Sequence, residues 1–359
     1  MSARRNQAPE RTLAAFGYAP FFADALSSAR PELQPARVLL ARGEFYRVVS
    51  ETGENDARVA GRVKHEAARA TDLPAVGDWV GLAEGQIEWV FPRRTRLSRK
   101  VPGKRAREQI VAANVDLVVI VMGLDADYSE RRLERYLTTV WESGAAPLVL
   151  LNKADLNESF EARAAAVRDL AAGAPVVTSS MKTGLGVDEL TPHLRARETA
   201  VLVGSSGVGK STLINRLLGS DIQQTRSVRE RDERGQHTTT HRELFLLPGG
   251  ALLIDNPGIR ELQLWADESA LEQSFDDVVA LAKTCRFNDC GHDAEPGCAV
   301  AEAVSTGELP EERLESFRAL QKEVRFLARR QDETAERVEK QKWRTIHKEM
   351  RKSGKHRRT

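Results

Sequence analysis

Three short stretches of this sequence carry side chains whose types and spacing suit chemistry. The first is Gly204, Ser205, Ser206, Gly207, Val208, Gly209, Lys210, Ser211 and Thr212, which fits the phosphate-loop pattern GxxxxGK[ST]. Glycines in such a loop let backbone N–H groups turn inward around phosphate oxygens, and the start of a following helix adds partial positive charge. Lys210 would reach the outer phosphates, and Ser211 would offer its hydroxyl to a magnesium ion. The second stretch is Asn152, Lys153, Ala154 and Asp155. A carboxylate at Asp155 can accept from both the N1–H and the exocyclic amine of guanine. Adenine has no such donor pair, so Asp155 would select GTP over ATP by leaving the wrong base unpaired. The third is Cys285, Cys290, His292 and Cys298, spaced C-x4-C-x-H-x5-C. Three thiolates and one imidazole suit a four-coordinate structural zinc with no open position. His292 is the least distinctive of the four, with His241 and His347 as the alternatives. The stretch is rich in turn residues such as Asn288, Gly291, Pro296 and Gly297, so the metal would supply folding free energy on the order of 10 kcal/mol.

These groups need elements to hold them. Ala200–Val203 is an apolar run fit for a buried strand, and Thr212–Leu218 has helical spacing, so the glycine loop sits in the strand–loop–helix context it requires. Upstream, Val115–Met122, Pro147–Leu151 and Pro175–Thr178 read as strands, with helical patterns at Arg131–Trp141, Glu161–Ala171 and Val187–Leu194. Downstream, Arg242–Leu247 and Ala251–Ile254 read as strands, the latter leading into Asp255. Alternation of this kind implies an α/β domain with a mostly parallel sheet, whose strand ends carry the ligand-binding loops. Before it, Arg37–Arg42, Glu44–Ser50, Ala57–Val63, Asp78–Leu82 and Gln86–Phe91 suggest a small barrel such as an OB-fold. Phe45, Tyr46, Trp79 and Trp89 either stack nucleic-acid bases or fill its core. After it, Ser269–Ala282 and the stripe Leu314, Phe317, Leu320, Val324 and Leu327 read as helices. In the leader, Phe16, Tyr18, Phe21 and Phe22 either pack on the next domain or belong to a partly disordered segment.

The net charge of the 359 residues is only +2, but it is unevenly spread. Arg93–Arg107 holds eight basic residues and no acid, and Gln341–Thr359 holds eight Lys/Arg against Glu349 alone. Beside a barrel, such runs suit RNA, with salt-dependent binding. All three cysteines fall within the one cluster, which argues for a metal rather than a disulfide framework. No segment is apolar and long enough to span a membrane, and the polar start does not read as a signal peptide, so a cytoplasmic protein is expected.

The order NKAD, Ser180-Met181-Lys182, GSSGVGKS, the threonines of Gly235–Thr240, then Asp255-Asn256-Pro257-Gly258 resembles the full GTPase motif set with its order permuted. Together with CRFNDCGHDAEPGC, it is similar to the ribosome small subunit-dependent GTPase A family, also called YjeQ, over about Arg37 to past Cys298. Two departures stand out: Met181 replaces the usual alanine of SAK, and Asn256 replaces the threonine of DTPG. The resemblance implies that Asn152–Asp155, Ser180, Met181, Lys182 and Gly204–Thr212 bind GTP or GDP. It implies that Ser211, Asp255 and one of Thr238, Thr239 and Thr240 (Thr239 is taken here) hold magnesium, and that the Gly258 N–H senses the γ-phosphate. Ile259 stands where Ras-like enzymes have a glutamine that orients the attacking water. The resemblance offers His237 instead; it either holds the water or only orders its loop. Arg226, Arg229, Arg231 and Arg234 precede it in a charged stretch expected to order on partner binding, so unassisted turnover should be slow.

The expected architecture is therefore multidomain: leader 1–35, OB-fold β-barrel and basic linker 36–108, circularly permuted α/β P-loop GTPase domain 109–265, and mainly α zinc-binding domain with basic tail 266–359. The expected function is a GTP hydrolase, with structural zinc and with magnesium bound alongside GTP. The resemblance implies the small ribosomal subunit and its rRNA as partner and activator, with a role in late maturation. A monomer is expected. The alternative is a GTP-gated RNA-binding module in which hydrolysis is incidental.

Overall fold

The computed structural model describes residues 12–100, 108–171, 173–219, 242–256, 271–272, 274–287, 290–292, 295–322 and 324–325. Five strands form the barrel: β1 (Gln34–Arg42), β2 (Phe45–Ser50), β3 (Gly53–Val59), β4 (Trp79–Ala83) and β5 (Gln86–Val90). They run in the order β1-β2-β3-β5-β4, and β4 closes back onto β1. Only the β3–β5 pair is parallel. Ala36, Val38, Val48, Ala57, Val80 and Ile87 fill the interior. The third strand differs from its expected span, Ala57–Val63. It begins at Gly53 and stops at Val59, and Gly61–Glu66 is a short helix. Its first half exposes Glu54, Asn55 and Asp56, so apolar content underestimates the strand at its start and the apolar run past Val59 overestimates it.

The aromatic candidates divide. Trp79 and Tyr46 are buried, so they serve the core and are not open to a base. Trp89 is partly buried against Phe91, with ring centroids 4.5 Å apart. Phe45 is exposed, with the Arg58 guanidinium 4.6 Å from its ring. Of the leader's aromatics, Phe16 and Phe22 are buried and Tyr18 meets Trp79 at 4.8 Å, while Phe21 remains exposed.

Part of the basic run is structural. Arg93 donates to both carboxylate oxygens of Asp78 (2.8 and 2.7 Å) and to the carbonyls of Thr71 and Leu73. Arg94 pairs with Asp116 at 2.5 Å. What reads as linker contains a hairpin, β6 (Arg96–Lys100) with β7 (Glu108–Ala113).

The α/β part of the molecule is built on β8 (Leu117–Gly123), β9 (Ala146–Asn152), β10 (Val176–Thr178), β11 (Thr199–Val203), β12 (Arg242–Leu246) and β13 (Leu252–Asp255). Their order is β10-β9-β8-β11-β13-β12, parallel throughout except for β12. Strands covered on both faces must be apolar along their length, and β8, β9 and β11 are buried almost end to end. On one side lies helix Glu130–Ser143, capped by the Ser129 hydroxyl and ended by Gly144 at φ 79°. It buries Leu133, Tyr136, Leu137 and Val140 at three- and four-residue spacing. β12 also pairs with β1 (Leu40 opposite Glu243, Ala41 opposite Arg242), so among the described residues the barrel and the α/β sheet form one eleven-stranded sheet.

Arg37 braces that junction. It is 2% exposed and donates to Thr199 Oγ1 (2.8 Å) and to the carbonyls of Phe16, Gly77 and Asn114. Burial pulls its pKa down to about 10, with Asp116 and Asp78 opposing the shift. The C-terminal region packs helices Asp276–Ala282, Ala299–Thr306 and 311–322 around Leu271, Phe275, Val300, Leu314 and Phe317. It docks on helix Glu130–Ser143 through Arg313, which donates to buried Glu134 (2.8 Å) and to both oxygens of Asp277 (2.9 Å each). Ser316 donates to the same Glu134 carboxylate. Among the described residues, no helix is long and apolar enough to cross a membrane.

Candidate functional site

Three loops meet at the C-terminal ends of the parallel strands. β11 runs into Gly204–Gly209, and residues 210–219 are helical. Gly204 (φ 141°) and Gly209 (φ 106°) take backbone conformations that side chains disfavour. A Cβ at Gly204 would collide with the Val121 carbonyl of β8, and one at Gly209 with the Asn152 amide. The glycines are thus needed for close approach of the neighbouring strands as well as for the turn.

Asn152, at the end of β9, ties the loops together. Its Nδ2 donates to the Val208 carbonyl at 2.8 Å, and its Oδ1 accepts from Met181 N at 3.1 Å and Ser179 Oγ at 3.3 Å. Its amide is engaged by protein on both ends, so this residue shapes the site from behind. Asp155 lies exposed in the turn after Lys153 and Ala154, and its Oδ1 accepts from the buried Ser180 hydroxyl at 2.6 Å. That bond fixes the carboxylate and leaves it facing solvent on an ordered base. Met181 is buried, and its carbonyl accepts from Arg216 Nη1 at 3.2 Å. The bonds at this position are main-chain ones that an alanine would make equally, and the longer side chain joins the core on that face of the sheet. Lys182, Ser206, Ser211 and Thr212 are exposed, and Ser205 is partly exposed.

Lys210 Nζ donates to the carbonyls of Gly204 (2.7 Å) and Ser205 (2.5 Å). Burial lowers its pKa, and the carboxylates of Asp127 and Asp255 oppose that shift. Asp255 is 8% exposed at the end of β13, the strand next to β11. A hydroxyl at the helix start and a buried carboxylate within electrostatic reach of Lys210 are an oxygen donor set that fits magnesium. His237, Thr238, Thr239, Thr240 and Gly258 lie outside the described residues. The motif reading missed Asp125 and Asp127. They follow β8, and Asp125 pairs with Lys153 at 2.7 Å.

The cysteine cluster assembles as expected. Ligand atoms of Cys285, Cys290, His292 and Cys298 all lie within 4.8 Å of one another. Cys285 Sγ and Cys298 Sγ are each 3.6 Å from His292 Nδ1 and 3.9 Å from each other. Tetrahedral zinc with ordinary bond lengths places sulfurs about 3.8 Å apart and sulfur and nitrogen about 3.6 Å apart. The group can therefore hold a metal ion, and among the described residues His292 is the histidine that completes it. His292 takes φ 62°, with its carbonyl accepting from Arg318, and Cys298 accepts from Ala301 N at 3.4 Å at the start of helix Ala299–Thr306.

A closed five-stranded barrel, a P-loop α/β domain with its motifs in permuted order and a Cys3His module together define a circularly permuted GTPase. The RsgA GTPase family model matches residues 90–265. The chain is 46% identical over 356 residues to the small ribosomal subunit biogenesis GTPase RsgA of Opitutus terrae, covering 95% of this chain and 97% of that one. It resembles the crystal structure of YjeQ from Thermotoga maritima (TM-score 0.61, 26% identity, 81% of this chain and 98% of that chain). It also resembles YloQ, a circularly permuted GTPase (TM-score 0.57, 26% identity, 83% and 96%). The chain belongs to the RsgA GTPase family.

Proposed function

We propose that this GTPase acts in late maturation of the small ribosomal subunit, binds its rRNA, and is switched to fast hydrolysis by docking on it. The observation that carries the nucleotide assignment is the joining of the Val208 loop, Met181 and Asp155 through Asn152 and Ser180. Gly204–Thr212 would cradle the phosphates, Asp155 and the Ser180–Lys182 loop the guanine. Lys210 would leave the loop carbonyls it now meets for the outer phosphate oxygens. Ser211, Asp255 and Thr239 would hold magnesium, which neutralises charge on the transferring phosphoryl group when bound. The Gly258 N–H would accept no proton role; it would donate to the γ-phosphate. His237 would orient the attacking water where Ile259 has no hydrogen-bonding group. Zinc is the metal that best suits the Cys3His donor set.

The ribosomal partner is supported by the role for which the relatives are named and by the basic residues of Arg93–Arg107 other than Arg93 and Arg94, with those of Gln341–Thr359. The chain would act as a monomer in the cytoplasm. Co-sedimentation with purified small and large subunits, in GDP and in a non-hydrolysable GTP analogue, tests the partner. Binding to the small subunit that is stronger with the analogue is expected. Equal binding to both particles in both nucleotides would overturn the partner assignment.

A further inference from the structure

The loop from Gly123 to Ser129 belongs to none of the recognised motifs, yet it is held in place at many points. Leu124 N donates to the Asn152 carbonyl at 2.8 Å. The Leu124 carbonyl accepts from Asn157 Nδ2 (3.0 Å) and Arg163 Nη1 (3.1 Å). Asp127 is pinned by Arg132, which donates to its carboxylate at 2.9 Å and to its carbonyl. Asp127 N in turn donates to Asp125 Oδ1 at 3.1 Å. With one carboxylate oxygen fixed from behind, Asp125 presents the other, Oδ2, to Lys153 Nζ at 2.7 Å. A Cβ at Gly123 would stand 2.5 Å from Asp125 Oδ1, so the tight loop start is part of the arrangement.

Lys153 is itself constrained. It is a non-glycine residue at φ 65°, a conformation that persists only where its surroundings impose it. Its neighbours Asn152 and Asp155 both hydrogen-bond to the loop that follows β10. The Lys153 hydrogen bond, set against burial, holds the Asp125 carboxyl below its usual range, so Asp125 is ionised at neutral pH.

We propose that Asp125 is a positioning residue of the nucleotide site, which holds the Lys153 side chain in its binding-competent orientation and thereby sets the affinity for guanine nucleotides. This rests on reading Asn152–Asp155 as the guanine-binding element. A lysine side chain has large rotamer freedom, and a partner anchored to the backbone removes that freedom before the ligand arrives. The two side chains are 26% and 29% exposed, so the gain is that of a partly screened pair. Because the pair involves Lys153, next to Asn152, and not the phosphate loop, it should affect GDP and GTP alike.

The test is a double-mutant cycle on nucleotide affinity, read with fluorescent GDP and GTP analogues on the full chain. Asp125→Asn keeps the shape and removes the charge. It should weaken both nucleotides by about fivefold. In hydrolysis, the loss should fall on KM rather than kcat. Lys153→Ala should weaken binding more. The double variant should bind no worse than Lys153→Ala alone, because Asp125 acts through Lys153. Asp125→Glu, which retains the charge, should recover part of the loss. Wild-type affinity in Asp125→Asn, or full additivity with Lys153→Ala, would overturn the inference while the site reading stands. Undiminished binding in both Lys153→Ala and Asp155→Asn would overturn the site reading and this inference together.

Discussion

The side-chain amide of Asn152 donates to the main-chain carbonyl of Val208 at 2.8 Å, joining the end of β9 to the phosphate loop after β11 across the intervening strand β8. The bond makes the guanine-side turn and the phosphate loop parts of one object. Replacing Asn152 by Ala leaves the Val208 carbonyl and the Met181 N–H without these partners. The expected stability loss is about 1–3 kcal/mol. GDP and GTP affinity should fall more than tenfold, checked by thermal unfolding and nucleotide titration.

Asp155 and Ser180 divide the work of base recognition in this account. Asp155→Asn should lose guanine nucleotides and gain xanthine nucleotides, because the substituted amide offers a donor where xanthine has a carbonyl. Ser180→Ala removes the 2.6 Å bond that steadies the carboxylate and should cost only several-fold in affinity, with guanine preference kept. Competition between the two nucleotide types on each variant decides the point.

The loop glycines should not be equivalent. Gly209→Ala strains a backbone at φ 106° and drives a methyl into the Asn152 amide; Gly204→Ala drives one into Val121. Each should cost about 1–3 kcal/mol in conformational strain, plus nucleotide binding. Gly207→Ala, at φ 79° with open space around its Cβ, should be the mildest of the three. Parallel melting curves and GDP titrations rank them.

Metal analysis should return one zinc per chain. Chelation, or Cys298→Ser, should loosen the C-terminal helices, since Cys298 starts Ala299–Thr306 and packs with Phe275 and Phe317. Hydrogen exchange should accelerate there and change little in β8, β9 and β11. Uniform acceleration across the chain would argue against a local structural metal.

Arg313 holds the C-terminal module to the GTPase domain through Glu134, which is 3% exposed. Arg313→Ala leaves that carboxylate with the Ser316 hydroxyl but without its counter-charge and should cost about 3–5 kcal/mol. Replacing both partners with apolar residues of similar size should cost much less, as unfolding by denaturant would show.

The chemistry of this chain was more legible than its architecture. Gly204–Lys210, Asn152–Asp155 and the cysteine spacing are local patterns, and the apolar strands around them follow from burial on both faces. Long-range pairing was hidden. Arg93 reads as part of a nucleic-acid-binding run, but Asp78, at the start of the neighbouring strand β4, closes a buried ion pair with it. β3 was shifted because an exposed half-strand such as Glu54–Asp56 has no apolar signature. The one-sheet continuity of barrel and GTPase domain depends on β1 meeting β12, some 200 residues away. Asp125 had no motif to announce it; two acids directly after a buried strand were the only signal.

The central claim is that hydrolysis is slow in the isolated chain because Ile259 replaces a water-orienting glutamine, and that the small subunit supplies the missing order. Steady-state GTP hydrolysis should be measured alone, with purified small subunits and with large subunits. Basal turnover near the ~10⁻⁴ s⁻¹ scale of unassisted GTPases, rising by orders of magnitude with the small subunit only, is the expected result. Fast turnover without any particle, or equal stimulation by both subunits, would contradict it.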